Sequence, residues 1–240
     1  MVRINFEGVT RHYRGAASPA VVEVDLAVAD GEAVALVGPA GAGKTTLLRL
    51  ACGLEVPDRG RVVLGEGDDV HSEEEHREEH LELVLLFQNY AVHPHRRVQE
   101  YVAGAAQGRG KARGRAQERG PWARRRGRDP VLDQVVEVMG LADLRRRVVS
   151  SLSASERMRM VLARSLVQRP DVLLLDEPFA NLAPAVRADL LDRLMAAQEL
   201  RPVTTLYVTE RREEAEMLAA RVLVVEGGRV HEEERVGAKG

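Results

Sequence analysis

Gly38-Pro39-Ala40-Gly41-Ala42-Gly43-Lys44-Thr45-Thr46 decides the fold of this chain. The stretch fits G-x-x-x-x-G-K-[ST], the pattern of a phosphate-binding P-loop. The apolar run Ala33 to Val37 leads into it, and Leu47-Leu48-Arg49-Leu50-Ala51 leads out with helical character. That is the strand–loop–helix setting the pattern requires. Glycines let backbone N–H groups approach a polyphosphate, and a helix N-terminus adds partial positive charge. Lys44 is placed to reach the β- and γ-phosphates, and the Thr45 hydroxyl to bind Mg²⁺. A glycine-rich turn before an ordinary helix is the competing reading, and the complete pattern with both flanks speaks against it.

Asp171-Val172-Leu173-Leu174-Leu175-Asp176-Glu177-Pro178 is the second chemical motif. Four apolar residues in a row suit a central parallel strand, and two carboxylates follow at its C-terminal end. In open α/β sheets that end is where ligands bind. Asp176 is suited to the Mg²⁺ shell. Glu177 is suited to polarise a water aimed at the γ-phosphate, as general base. An acidic loop after a core strand is the plainer alternative.

Working outward, Val2, Ile4 and Phe6 alternate with polar residues, so residues 2–13 read as a strand or hairpin arm with Tyr13 at its end. Gly15 to Pro19 is a turn, Val21 to Leu26 alternates again, and Asp30-Gly31 is a tight turn. Past the P-loop helix, Arg61 to Gly65 is a short strand, and Leu83 to Phe87 is apolar enough for a buried one. Helical patterns follow near 98–105, from Pro130 to Gly140, near 141–148, and after the polar turn 151–156 until Pro170. Pro184 to Leu200 and Arg211 to Ala220 are helices, and Val203 to Thr209 is a buried strand. Val222 to Val225 and Arg229 to His231 form strands around Gly227-Gly228.

The chain has 240 residues, enough for one large domain or one with a subdomain. Aromatics are only 3%, so aliphatic side chains must build the core. A net charge of −2 argues for no polyanionic partner by itself, yet the average hides a segregation. Residues 66–82 are acidic, and residues 109–128 are basic, glycine-broken and unable to bury a core of their own. His76 and His80 are spaced to share a helix face as metal ligands, but a solvated charged loop explains them better. A single cysteine, Cys52, excludes an internal disulfide and reads as a buried thiol. No apolar run approaches the ~20 residues that span a bilayer, and no signal-peptide core follows Met1. The expectation is a cytosolic protein or a peripheral subunit on the cytosolic face of the membrane.

With these motifs in this order, the chain resembles the nucleotide-binding subunit of ABC transporters along nearly its whole length. Tyr13 falls where the family stacks an aromatic on adenine, Gly38 to Thr46 at Walker A, Gln88 at the Q-loop, and Leu173 to Glu177 at Walker B. Gln88-Asn89-Tyr90-Ala91 with Pro94-His95 looks most like importer ATPases. Leu152-Ser153 with Arg157 and Ala163-Arg164 resembles the signature region, and Thr204 to Thr209 with Glu213-Glu214-Ala215 the switch region. The resemblance implies an α/β fold: a P-loop NTPase, RecA-like core with an N-terminal antiparallel β subdomain and an inserted helical subdomain. It implies one domain over residues 1–240, with 1–90 and 170–240 forming core and β subdomain. Residues 91–169 form the helical part, which carries the basic segment 107–129.

The implied ligands are ATP and Mg²⁺. The nucleotide would meet Tyr13, Gly38, Pro39, Ala40, Gly41, Ala42, Gly43, Lys44, Thr45, Thr46, Gln88 and Ser153, and the metal would meet Thr45, Gln88 and Asp176. The catalytic positions are Glu177 and Glu210. Implied partners are membrane permease subunits and a second ATPase subunit, identical or different, since two such subunits sandwich two ATP molecules. No nucleic-acid partner is implied.

The departures from the family pattern are equally specific. Leu152-Ser153-Ala154-Ser155-Glu156 stands where the family has Leu-Ser-Gly-Gly-Gln, so two Cβ atoms and a negative charge enter the turn that faces a γ-phosphate across the dimer. Glu210 stands at the switch histidine; an ionised glutamate can only accept a hydrogen bond. Ala183 replaces a bridging aspartate, and Arg96-Arg97 an apolar-polar pair toward the membrane subunit. The expectation is Mg·ATP binding with weakened hydrolysis. An importer ATPase comes first, an ATP-binding regulatory or structural subunit second, and a soluble nucleic-acid-associated ATPase using the basic segment third. The resemblance stops short of the C-terminal regulatory barrel common in sugar and polyamine importers, which leans away from those subfamilies.

Overall fold

The computed structural model describes residues 3–65, 68–69, 82–86, 92–106 and 130–232. Gln88, the acidic run with His71, His76 and His80, and the basic segment 107–129 lie outside the described residues. The chain forms two compact units: Met1–Asn89, Asp171–Asn181 and Arg201–Gly240 in one, Tyr90–Pro170 and Leu182–Leu200 in the other.

The first unit holds two sheets. β1 (Ile4–Arg11), β2 (Val21–Val28), β4 (Arg59–Leu64) and β5 (Asp68–Asp69) form an antiparallel sheet in the order β2-β1-β4-β5. Ile4, Phe6 and Val9 of β1 and Val24, Leu26 and Val28 of β2 are buried, as the two-residue alternation requires. β3 (Ala33–Val37), β6 (Leu83–Leu86), β7 (Val172–Asp176), β8 (Thr204–Thr209), β9 (Arg221–Glu226) and β10 (Arg229–Glu232) form a six-stranded sheet in the order β10-β9-β3-β8-β7-β6. Its pairs are parallel except β9–β10. The runs Val172 to Leu175 and Leu206 to Val208 are buried throughout, as strands covered on both faces must be.

Helix α1 (Lys44–Ala51) is apolar on most sides because both sheets meet it: Leu47, Leu48 and Leu50 share one buried cluster with Ile4, Phe6, Leu36, Leu174 and Leu206. Cys52 ends α1 half-buried, its Sγ–H on the Arg49 carbonyl at 3.3 Å; burial pushes the thiol pKa up, which suits a structural thiol.

The second unit is helical: α2 (Val98–Ala106), α3 (Pro130–Val138), α4 (Ala154–Val167) and α5 (Pro184–Leu200). α4 contacts the other three and buries Met158, Met160, Leu162 and Leu166. Arg164 donates to the Tyr101 carbonyl at 2.5 Å, while Arg159 and Arg193 donate to the Gly140 and Val138 carbonyls at the end of α3. The helix expected near 141–148 is absent; only short 3-10 turns form, at Ala142–Leu144 and Val149–Ser151. The carbonyls of Arg145 and Arg147 instead accept the Gln99 and Val98 N–H groups, orphan donors in the first turn of α2.

Ser153 caps α4. Its hydroxyl accepts the Glu156 N–H at 3.2 Å, and the Glu156 carboxylate accepts the Ser153 N–H at 2.7 Å. Ser153-Ala154-Ser155-Glu156 is thus a capping box, a signal the sequence carried. Glu156 was expected to bring charge toward a phosphate; its carboxylate is folded back on the backbone. That bond, with Arg147 3.5 Å away, holds its pKa below the usual range. Ser153→Ala is expected to cost about 1 kcal/mol, a fall of about 2–4 °C in a thermal unfolding scan. Among the described residues no helix is long and apolar enough to cross a membrane.

Candidate active site

Three parallel neighbours in the six-stranded sheet end at one level. Val37 of β3 pairs with Thr209 of β8, and Asp176 of β7 pairs with Val208. The residue after each strand is therefore Gly38, Glu177 and Glu210, side by side at the carboxyl edge where open α/β sheets bind ligands. The P-loop and the acidic motif lie 132 residues apart by sequence number (Lys44 to Asp176), and β8 between them makes the juxtaposition.

The P-loop wraps the start of α1. Gly38 passes close under the Val225 carbonyl, where a Cβ would sit 2.1 Å from the oxygen. Gly43 caps α1 with φ +107, a conformation costly for any residue with a Cβ. Lys44 is 4% exposed, and its Nζ donates to the Gly38 and Pro39 carbonyls at 2.7 and 2.9 Å. The ammonium is thus fixed by the loop's own backbone, 3.6 Å from Glu177 Oε1. Thr45 Oγ1 donates to Asp176 Oδ1 at 3.0 Å.

Glu177 has φ +45, uncommon for a residue with a side chain. Its N–H donates to the Val208 carbonyl at 3.0 Å, and its carbonyl accepts the Ala180 N–H. Such a backbone persists where its surroundings over-determine it, which happens most at working sites. Burial raises the Glu177 pKa; Lys44 opposes this, and the Glu210 and Asp176 carboxylates add to it. Asp176 is likewise raised by burial, against its bond from Thr45 and the charges of Arg49 and Lys44.

These groups line one cavity of about 470 Å³, formed by Tyr13, Ala20, Ala40, Gly41, Gly43, Lys44, Thr45, Thr46, Asp176, Glu177 and Glu210. The structure thus brings together Tyr13, most of the P-loop, both carboxylates and Glu210. Pro39 takes part through its carbonyl, and Ala42 is buried beneath the loop. Ser153 belongs to the second unit, and Gln88 lies outside the described residues.

Glu214 entered the sequence reading only within the switch-like stretch Glu213-Glu214-Ala215, with no role of its own. It is 5% exposed and accepts the Tyr207 and Thr209 hydroxyls at 2.8 and 2.9 Å, while the Thr209 hydroxyl accepts the Arg211 N–H. This network fixes the turn that carries Glu210. Its only sequence signal is an acidic residue on the buried side of a short helix, which is legible once α6 (Arg212–Leu218) is placed against β8.

An Mg²⁺ ion suits the Thr45–Asp176 pair. The pair supplies one hydroxyl and one carboxylate, and Mg²⁺ takes one or two carboxylates plus phosphates and water. Among the described residues no group of three or more His, Cys, Asp and Glu side chains is placed to hold a metal, so phosphate and water would complete the shell.

The profile of the family described as ABC transporter matches residues 21–180. The spermidine/putrescine import ATP-binding protein PotA of Frankia alni is 40% identical over 231 residues, 95% of this chain and 46% of PotA. The sulfate/thiosulfate import ATP-binding protein CysA of Caulobacter vibrioides is 39% identical over 89% of this chain and 60% of its own. The diacetylchitobiose uptake system ATP-binding protein MsiK of Streptomyces coelicolor is 31% identical over 95% and 56%. The chain spans about half the length of the curated relatives it matches. The expectation that leaned away from sugar and polyamine importers finds no support in this set.

Among solved structures, the ATP-binding cassette MJ0796, a dimeric post-hydrolysis state bound to ADP and Pi, superposes with a TM-score of 0.73 at 22% identity. It covers 98% of this chain and 100% of MJ0796. The ADP conformation of the cassette MJ1267 gives 0.72 at 22% identity, over 96% and 90%. At such identities the likeness speaks for the fold alone. The family profile takes in the P-loop and the Asp176–Glu177 pair together, and the fold is the one these cassettes share: the chain belongs to the ABC transporter family.

Proposed function

We propose that this chain is a single ABC-type ATP-binding domain that binds Mg·ATP and serves as the ATP-binding subunit of an importer. It would sit on the cytoplasmic face of the membrane, as one of two ATPase subunits beneath permease subunits. The observation that carries this reading is the convergence of Lys44, Thr45, Asp176 and Glu177 on one cavity. The import-protein names of the relatives add to it.

In this reading the P-loop amides and Lys44 hold the β- and γ-phosphates, and Lys44 exchanges its backbone acceptors for phosphate oxygens. Thr45 and Asp176 hold Mg²⁺, which would neutralise phosphate charge. Glu177 accepts a proton from the water that attacks the γ-phosphate, and the ADP oxygen leaves with the electrons of the broken P–O bond. Gln88 would join the metal shell, and Ser153 would meet the ATP of the opposite subunit. A subunit that binds ATP and hardly hydrolyses it is the second reading. It is favoured by one observation, the Glu210 carboxylate in the cavity beside Glu177.

Titration of the full chain with Mg·ATP tests the binding step. Saturable one-site binding is expected, and Lys44→Ala, which removes the buried cation, is expected to weaken it by about 100-fold. An unaltered chain that does not bind ATP, or a Lys44→Ala chain that binds it equally well, overturns the assignment.

A further inference from the structure

Glu55 lies in the loop after α1, outside every motif read from the sequence, and is 14% exposed. Its two oxygens accept the Tyr13 hydroxyl at 2.7 and 2.6 Å. Arg49 Nη1 donates to it at 3.2 Å and Arg11 Nε at 3.4 Å, so two guanidinium groups balance its charge. The Tyr13 hydroxyl also lies 3.2 Å from Thr46 Oγ1, the last P-loop residue. Tyr13 lines the cavity, and the Arg11 guanidinium stands 5.3 Å from the centre of its ring. Tyr13 follows the end of β1, so no sheet ladder holds its backbone. The hydroxyl at the ring's tip is bonded to a carboxylate, and hydrogen bonds to an ionised acceptor are the strong ones.

We propose that Glu55 is a positioning residue for the nucleoside base: it fixes the Tyr13 ring as the surface on which the base stacks, without touching the nucleotide. The proposal rests on the ATP-binding reading above. An aromatic held in its stacking orientation before the ligand arrives loses no rotamer freedom on binding, so the stacking energy is realised in affinity. Arg11 covers one face of the ring, and the base takes the other. The tie to Thr46 joins this platform to the phosphate loop, so base and phosphate sites keep a fixed separation. The triphosphate itself meets the P-loop and owes nothing to Glu55. That separation gives the proposal its signature.

The test compares two probes, ATP and inorganic tripolyphosphate, each with Mg²⁺, on the full chain and on Glu55→Ala, Glu55→Gln, Tyr13→Ala, Tyr13→Phe and the Tyr13→Ala/Glu55→Ala double variant. Calorimetric titration is expected to show ATP affinity falling about tenfold in Glu55→Ala, a loss of the size that removing one base–aromatic stack causes. Tripolyphosphate affinity stays within about twofold. Glu55→Gln, which still accepts from the tyrosine, keeps most of the ATP affinity. The double variant binds ATP no worse than Tyr13→Ala alone, because Glu55 acts only through Tyr13. Tyr13→Phe keeps the ring, loses the donor, and follows Glu55→Ala; it carries the test by itself if Glu55→Ala does not fold. The proposal is overturned if Tyr13→Phe or Glu55→Ala binds ATP like the unaltered chain. Equal losses of ATP and tripolyphosphate, or an additive double variant, overturn it too. An unaltered chain that binds tripolyphosphate but gains nothing from the nucleoside also removes it, and one that binds neither removes the ATP reading first.

Discussion

Glu177→Gln is expected to lower phosphate release from Mg·ATP by about 10²–10⁴-fold while ATP still binds. Glutamine keeps the size and hydrogen-bonding reach of glutamate but cannot take a proton from water. The substitution also removes one of three carboxylates from a cavity whose buried cation is Lys44, 3.6 Å away. ATP affinity is therefore expected to hold or to rise, since the γ-phosphate meets less negative charge. Single-turnover phosphate release beside equilibrium binding separates the two effects. A Glu177→Gln chain that hydrolyses at the rate of the unaltered one would remove Glu177 from the reaction and leave the positive-φ backbone there without a functional reason.

Restoring the family residues at Glu210, Ala154 and Ser155 is expected to work in the opposite direction. The triple variant Glu210→His, Ala154→Gly, Ser155→Gly should turn over ATP about 10²-fold faster than the unaltered chain, the scale on which one preorganised donor to a transition-state oxyanion acts. Glu210 follows β8 at the edge of the cavity, and the Thr209–Glu214 network fixes the turn that carries it. A carboxylate there raises the Glu177 pKa and accepts hydrogen bonds only, whereas a histidine donates. The signature part has a separate signature in stability. Ala154 and Ser155 occupy the first turn of α4 behind the Ser153–Glu156 capping box. Placing glycine there is expected to destabilise the helix by up to about 1 kcal/mol per residue. Faster turnover with a lower melting temperature is the expected pair of results. Ordinary turnover in the unaltered chain, unimproved by restoration, would defeat the view that these substitutions slow hydrolysis.

Much of the fold was legible because its decisive features are local. The P-loop pattern, the apolar run ending in Asp176-Glu177, and the alternation in β1 and β2 each need only a handful of consecutive residues. Where reading failed, the deciding partner was distant in sequence. The segment 141–148 has helical composition, yet its carbonyls satisfy the first turn of α2, some fifty residues earlier. Glu55 belongs to no motif in the sequence; its partner Tyr13 lies 42 positions earlier and is folded against it. Even Glu210, picked out for its identity, gained its meaning from strand order, since only β8 lying between β3 and β7 sets it next to Glu177.

That strand order also fixes a schedule for synthesis. Among the described residues β3, which carries the P-loop, hydrogen-bonds only to β8 and β9. Val37 must wait for its partner Thr209, 172 positions later (209 minus 37). At translation rates of about 5–20 residues per second this is a wait of about 10–30 s. Throughout that interval the apolar run Ala33 to Val37 lacks both of these neighbours, while the antiparallel partners β1, β2 and β4 already exist. The nascent chain therefore carries a complete phosphate-loop sequence long before it has a nucleotide site. Of the groups that line the cavity, Asp176, Glu177 and Glu210 are made last, so the complete site exists only after β8 is synthesised.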